Sequence, residues 1–211
     1  MSNFGRMAFM SQVKAIFGSE DAADIEMMYL LAKKFSEGQF RKELGDDGKP
    51  LRYFEHPKRV ALKLIEYGCR DAEIICAALA HDLIEDADSK DLVNMLLNRA
   101  FPRLANLHSY VQTVTKIPKM GYIEKLEEAA NIGNLAVLVK MADRLDNLNS
   151  LPDDYSFVIR QIDETSEKMI PIFSTFLGKI NGPNKTIGEY IFKDIKLSLS
   201  NARKIIGGSG L

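Results

Sequence analysis

The chain has 211 residues, 46% hydrophobic and 27% charged, with 28 basic side chains against 29 acidic ones and a net charge of -1. A chain of this length buries enough surface to hold one core without a disulfide or structural metal. The charge balance excludes a dedicated nucleic-acid or anionic-membrane binder, which carries a basic excess.

The hydrophobic period is helical almost throughout. Ser19 reads as an N-cap, followed by Glu20 and Asp21 and by the apolar series Ile25, Met28, Leu31, Ala32 and Phe35. Gly45 to Pro50 is turn chemistry and marks one extended loop near residues 43–52. Pro57 sits in a first helical turn. Val60, Ala61, Leu64 and Ile65 form that helix's apolar face, and Gly68 ends it. Asp71 caps the next helix, which carries Ile74, Ile75, Ala78 and Leu79 into the core. Further helices are predicted over 90–99, from about Pro102 to Thr115, over 122–132, from Leu135 to the stop at Pro152, over 153–177 and over 185–206. Ile74 to Ala80 is the longest unbroken apolar run, far short of the ~20 residues a spanning helix needs. Residues 1–10 lack the apolar stretch of a secretory signal. Cys69 and Cys76 form no CxxC pair and read as reduced, buried thiols of a cytoplasmic protein. The expectation is an all-α single domain over 1–211, with its core at about 20–205 and a flexible tail at 207–211.

Three histidines are present: His56, His81 and His108. In the stretch His81-Asp82-Leu83-Ile84-Glu85-Asp86, a continuous helix sets His81 over Glu85 and Asp82 over Asp86, one imidazole and three carboxylates on one turn. Such crowding of like charge is neutralised by a bound cation or by solvent. Asp143 falls in a helix that otherwise reads as core. It is paired with Lys140 or Arg144, solvated, or ligating, because an unpaired buried carboxylate is too costly. Two imidazoles (His56, His81) and two carboxylates (Asp82, Asp143) from three helices suffice for one divalent ion, with Mn, Fe, Zn and Co all compatible. His108 reads as structural or surface.

The order His56-Pro57, His81-Asp82, Asp143-Arg144-Leu145 resembles the metal-dependent HD phosphohydrolases. The blocks Gln39-Phe40-Arg41-Lys42, Tyr53-Phe54-Glu55-His56-Pro57, Ala77 to Asp86, Val114-Thr115-Lys116-Ile117 and Lys140 to Leu148 are similar to the hydrolase domain of the RelA/SpoT alarmone enzymes, and to its stand-alone small hydrolases. The resemblance implies an HD-domain helical bundle that removes the 3′-pyrophosphate of ppGpp or pppGpp in the cytoplasm. It implies His56, His81, Asp82 and Asp143 as metal ligands, Mn²⁺ foremost, and Glu85 and Asp86 as the carboxylates acting on the attacking water. Arg41, Lys42, Lys116, Arg144, Asn147 and Ser150 are implied as the nucleotide-contacting set. A nucleotide is then the small-molecule partner, with no nucleic acid and no membrane, and the oligomeric state is left open. Because the chain ends at Leu211, a hydrolase-only protein is expected. Ser36 stands where the family often has His, Asn149 where it often has Arg, and the 43–52 segment is longer than the family's. These departures keep two alternatives in view: an HD phosphohydrolase acting on another nucleotide (an adenosine-type alarmone, a dNTP or dNMP, or a nicotinamide nucleotide phosphate), and a non-catalytic HD nucleotide-sensing module.

Overall fold

A computed structural model describes residues 5–45, 47–87, 89–116, 121–152 and 154–208, leaving aside the side chains of 86 and 205–208. The helices, in chain order, are α1 (Arg6–Ile16), α2 (Ser19–Phe35), α3 (Glu55–Glu66), α4 (Ala72–Ala80), α5 (Leu83–Asp86), α6 (Lys90–Arg99), α7 (Leu107–Val114), α8 (Tyr122–Asn131), α9 (Ala136–Asn149), α10 (Tyr155–Glu164), α11 (Ile170–Lys179) and α12 (Gly182–Gly208). One antiparallel hairpin, β1 (Phe40–Leu44) with β2 (Pro50–Arg52), stands between α2 and α3. The expected all-α HD bundle is therefore the fold, with that hairpin added.

The middle of the bundle is α4, of which every residue but Glu73 is buried. A helix apolar on all sides must be surrounded, and α2, α3, α7 and α9 pack on it. Asp71 starts α4 as expected: its carboxylate accepts from the N–H groups of Glu73 (2.9 Å) and Ile74 (3.3 Å). Just before it, Gly68 adopts φ +99°, and the Cys69 N–H returns to the Leu64 carbonyl at 2.8 Å to close α3. This tight reversal lays α3 against α4, so the start of α3 and the end of α4 lie side by side. Asp71→Ala removes the cap and is expected to cost about 1 kcal/mol. Thermal unfolding should show this as a fall of roughly 2–4 °C in Tm.

Several local expectations change. Residue 18, not 19, is the N-cap of α2: Gly18 holds an extended backbone (φ -61°, ψ 164°), Ser19 is already helical, and no side chain caps the end. The first turn is occupied instead by Glu20 and Asp21, which pair with Arg103 at 2.7 and 2.8 Å. The N-terminal stretch, given no helix by the sequence, forms α1, because Phe9 and Val13 lie one turn apart on a face that buries fully against the core. The single helix expected over 153–177 is α10 and α11 joined by a π turn at Thr165–Met169. That wide turn lies just ahead of Pro171, which has no N–H to continue the ladder. The loop expected at 43–52 is the hairpin tip and second strand: Gly48 has φ +73°, and Asp47 accepts from the Lys49 N–H at 3.1 Å. Of the expected tail, 207–208 belong to α12 and 209–211 lie outside the described residues.

Candidate metal centre

The His81-Asp82 pair does not sit within one helix. α4 stops at Ala80, the backbone turns at His81 and Asp82, and α5 begins at Leu83. Neighbours in a regular helix project about 100° apart. The break lets the two side chains converge instead, with His81 Nε2 3.2 Å from Asp82 Oδ2. His56, the second residue of α3, brings its Nε2 to 3.8 Å from the same carboxylate oxygen. From the middle of α9, Asp143 Oδ1 stands 3.0 Å from His56 Nε2 and 3.7 Å from His81 Nε2. The two imidazole rings meet edge to face, centroids 5.1 Å apart. His56, His81 and Asp82 each bring one ligand atom within 4.8 Å of the others, and Asp143 from α9 approaches both imidazoles.

Both imidazoles are oriented by their other nitrogen. His81 Nδ1 lies 2.8 Å from the Ala78 carbonyl, an acceptor, so this nitrogen donates. His56 Nδ1 lies 2.8 Å from Asp146 Oδ2 and donates likewise. Each ring therefore presents Nε2 to the shared centre. Among the described residues, buried His81 Nε2 makes no well-aligned hydrogen bond and instead faces Asp82 Oδ2 at 3.2 Å and Asp143 Oδ1 at 3.7 Å. A buried nitrogen facing two carboxylates, with its ring fixed by an outer acceptor, is the arrangement of a metal-ligating histidine. The donor set, two nitrogens and two carboxylates, suits a divalent transition ion.

The electrostatics agree. Burial opposes a charge on His81, but Asp82 and Asp143 overcome it and raise the imidazole pKa to about 10. Burial likewise opposes the charge on Asp143, yet Lys140 and the two imidazoles hold its carboxyl well below the usual range. Lys140 Nζ lies 2.7 Å from Asp143 Oδ2, and Asn147 Nδ2 donates to Oδ1 at 2.7 Å. Asp82, also pushed down by His81 and His56 against its burial, accepts from the Tyr53 hydroxyl at 2.8 Å. The carboxylates call for a cation in the centre, and a divalent ion meets that demand by displacing protons.

Around this centre the nucleotide-contacting candidates divide. Arg41 Nη2 donates to Asn147 Oδ1 at 3.0 Å, linking β1 to the residue that holds Asp143. Lys42 projects from the other face of the strand, where it pairs with Asp154 at 3.1 Å above the Phe157 ring. Adjacent strand residues point to opposite faces, so Arg41 and Lys42 leave β1 on opposite sides. Arg144 is buried and turned to α10, donating to Gln161 Oε1 (2.5 Å) and Glu164 Oε2 (3.2 Å). Lys116 lies beside Glu85, whose Oε2 accepts the Lys116 N–H at 3.1 Å. Its side chain borders a cavity of about 470 Å³ with Tyr122 and Glu164. Ser150 donates to the Asp146 carbonyl at 2.7 Å and borders a cavity of about 1250 Å³ beneath the hairpin. Asp86 ends α5, and its side chain lies outside the described residues. His108 meets Asn94 at 3.0 Å, away from the centre, in keeping with a structural role.

Asp146, which no motif in the sequence singles out, also joins this network through His56. It is 2% exposed, and besides His56 it is held by Arg59. His56 and Arg59 overcome the effect of burial and bring its pKa down to about 2. The available signal was its spacing: three residues beyond Asp143, it shares a face of α9 with that ligand.

The HD domain family matches residues 31–177. A guanosine-3′,5′-bis(diphosphate) 3′-pyrophosphohydrolase of Aquifex aeolicus is 36% identical over 162 residues, which is 72% of this chain and 21% of that one. A probable guanosine-3′,5′-bis(diphosphate) 3′-pyrophosphohydrolase of Mycoplasma genitalium is 29% identical, over 90% of this chain and 27% of its own length. The chain thus spans about a quarter or less of these relatives. The guanosine-3′,5′-bis(diphosphate) 3′-pyrophosphohydrolase MESH1 of Homo sapiens is 35% identical over 64% of this chain and 72% of its own. In fold, the chain is similar to a solved structure described as a metazoan ortholog of SpoT that hydrolyses ppGpp. That similarity has a TM-score of 0.55 at 22% identity and covers 81% of this chain and 94% of the other.

Proposed function

The chain belongs to the HD-domain family, and on that premise we propose that it hydrolyses the 3′-pyrophosphate of guanosine alarmones, converting ppGpp or pppGpp to GDP or GTP plus pyrophosphate. The observation that carries the reading is the convergence of the buried His81 Nε2 with Asp82, Asp143 and His56. The relatives' names supply the substrate class.

His56, His81, Asp82 and Asp143 would hold the divalent ion, Mn²⁺ foremost. Such an ion polarises a phosphoryl oxygen and acidifies bound water. Glu85, steadied by the Lys116 N–H, takes the proton of the attacking water, and Asp86 in the same turn assists. The water oxygen bonds to the phosphorus next to ribose O3′, the P–O3′ bond breaks, and O3′ leaves with a proton. Arg41 and Asn147 face the nucleoside side, and Lys116 offsets phosphate charge that the carboxylates would repel. Lys42 and Arg144 have other work in this reading. Lys42 fastens the hairpin to Asp154, and Arg144 fastens α9 to α10. Ser150 borders the cavity beneath the hairpin, next to Asp146. The described helices share one core, which supports a single domain. Two free, buried cysteines suit the reducing cytoplasm. Among the described residues no helix is long and apolar enough to cross a membrane.

The test is pyrophosphate release from ppGpp by the pure protein with Mn²⁺, alongside a panel of dNTPs, dNMPs, adenosine-type alarmones and nicotinamide nucleotide phosphates. Release from ppGpp in preference to the panel is expected. Turnover confined to another nucleotide would move the reading to that substrate, and turnover of none would favour a nucleotide-sensing module.

A further inference from the structure

The contacts around His56 form a closed circuit. His56 Nδ1 donates to Asp146, and Arg59 donates to both Asp146 oxygens from Nε (3.1 Å each) and to Oδ2 from Nη2 at 3.0 Å. The same Nη2 donates to Glu43 Oε2 on β1 at 2.8 Å. Glu43 is 3.6 Å from Arg41 Nε, Arg41 donates to Asn147, Asn147 donates to Asp143, and Asp143 returns to His56 Nε2 at 3.0 Å. Both nitrogens of one imidazole are thus tied into one network through the hairpin.

Resting on the metal-centre reading, we propose that Asp146 is a positioning residue that fixes the ring of His56, and that Arg59 is the strut through which the hairpin holds Asp146 in place. A carboxylate can only accept, so the bond to Asp146 keeps a proton on Nδ1 and leaves Nε2 for the ion. Asp146 is 2% exposed, so its orientation is set by its partners rather than by water. Arg59 grips it with a planar fork, a geometry that lysine cannot reproduce. The same guanidinium also donates to Glu43 on β1, so the hairpin bears on Asp146 through Arg59. The hairpin is therefore built into the support of a metal ligand, and a change in it is felt on both the nucleotide side (Arg41) and the metal side (His56).

The experiment uses Mn²⁺ alone, Zn²⁺ alone, and then substrate. Asp146→Asn is expected to weaken Mn²⁺ binding, measured by calorimetry, by roughly 10–100-fold, the usual effect of losing an outer-shell carboxylate. With three histidines in the chain, nitrogen-15 histidine spectra are simple to assign. In the Zn²⁺-loaded wild type the His56 Nδ1 proton should be protected from exchange, and in D146N, whose neutral amide oxygen accepts more weakly than a carboxylate, it should exchange faster. Glu43→Gln, which leaves Asp146 and its charge intact on a more exposed side chain, guards against a folding artefact. It should raise KM several-fold and weaken Mn²⁺ binding by less than D146N does, while Arg59→Lys should fall between the two. A D146N protein with lowered Tm but wild-type Mn²⁺ affinity and unchanged His56 resonances overturns the inference alone. A wild-type protein that takes up neither ion overturns the metal-centre reading along with it. Neither result depends on which nucleotide is hydrolysed.

Discussion

Asp82→Asn is expected to give a folded protein that no longer retains a divalent ion and no longer turns over nucleotide. Asp82 is the most accessible of the four proposed ligands, its side chain 23% exposed against 1–4% for the others. It lies in the α4–α5 break rather than in the packed interior of a helix. The amide is nearly isosteric, and its oxygen can still accept from the Tyr53 hydroxyl, so the fold loses little. The centre loses one negative charge and one anionic donor. Since even outer-shell changes weaken metal binding about 10–100-fold, the loss here should be larger, and turnover should fall to background. His81→Ala should do the same, with an added stability cost because its ring is fully enclosed. Calorimetry with Mn²⁺, followed by pyrophosphate release, checks both. Wild-type Mn²⁺ affinity in D82N would remove Asp82 from the ligand set.

Glu85→Gln should separate chemistry from metal binding. Glu85 is exposed on α5, so substitution should leave stability within about 0.5 kcal/mol of wild type. Glutamine keeps an acceptor for the Lys116 N–H but cannot take a proton from water. Mn²⁺ affinity and KM should stay close to wild type while kcat falls by roughly 10²- to 10⁴-fold, the usual contribution of a positioned general base. Normal kcat would transfer the role elsewhere, Asp86 being the carboxylate in the same turn.

The proposed centre was legible in the sequence because its ligands are punctuated by local signals. His56 precedes a helix-opening proline, His81 and Asp82 follow a run of small apolar residues, and Asp143 is an acid in an otherwise apolar helix. The break between His81 and Asp82 was not legible. The stretch from Ala77 to Asp86 holds no glycine or proline and reads as continuous helix. The turn is accompanied by tertiary partners, Tyr53 and His56, from another part of the chain. The hairpin was hidden for a different reason. Its pattern is inverted: Phe40 and Leu44 are exposed, while Arg41 and Glu43 point inward to Asn147 and Arg59. A rule that looks for apolar residues on the buried face sees only a loop there. Lys42 and Arg144 show where adjacency misleads. Each neighbours a residue in the centre's network, but strand alternation turns Lys42 to Asp154, and the helical step turns Arg144 to Gln161 and Glu164.

The central claim is that four side chains from α3, the α4–α5 break and α9 grip one ion. Anomalous diffraction at the manganese edge, from crystals of the intact chain grown with Mn²⁺, tests it most directly. One peak is expected within coordination distance of His56 Nε2, His81 Nε2, Asp82 and Asp143. No peak there, in crystals of protein that hydrolyses its nucleotide in the same Mn²⁺ buffer, would contradict it.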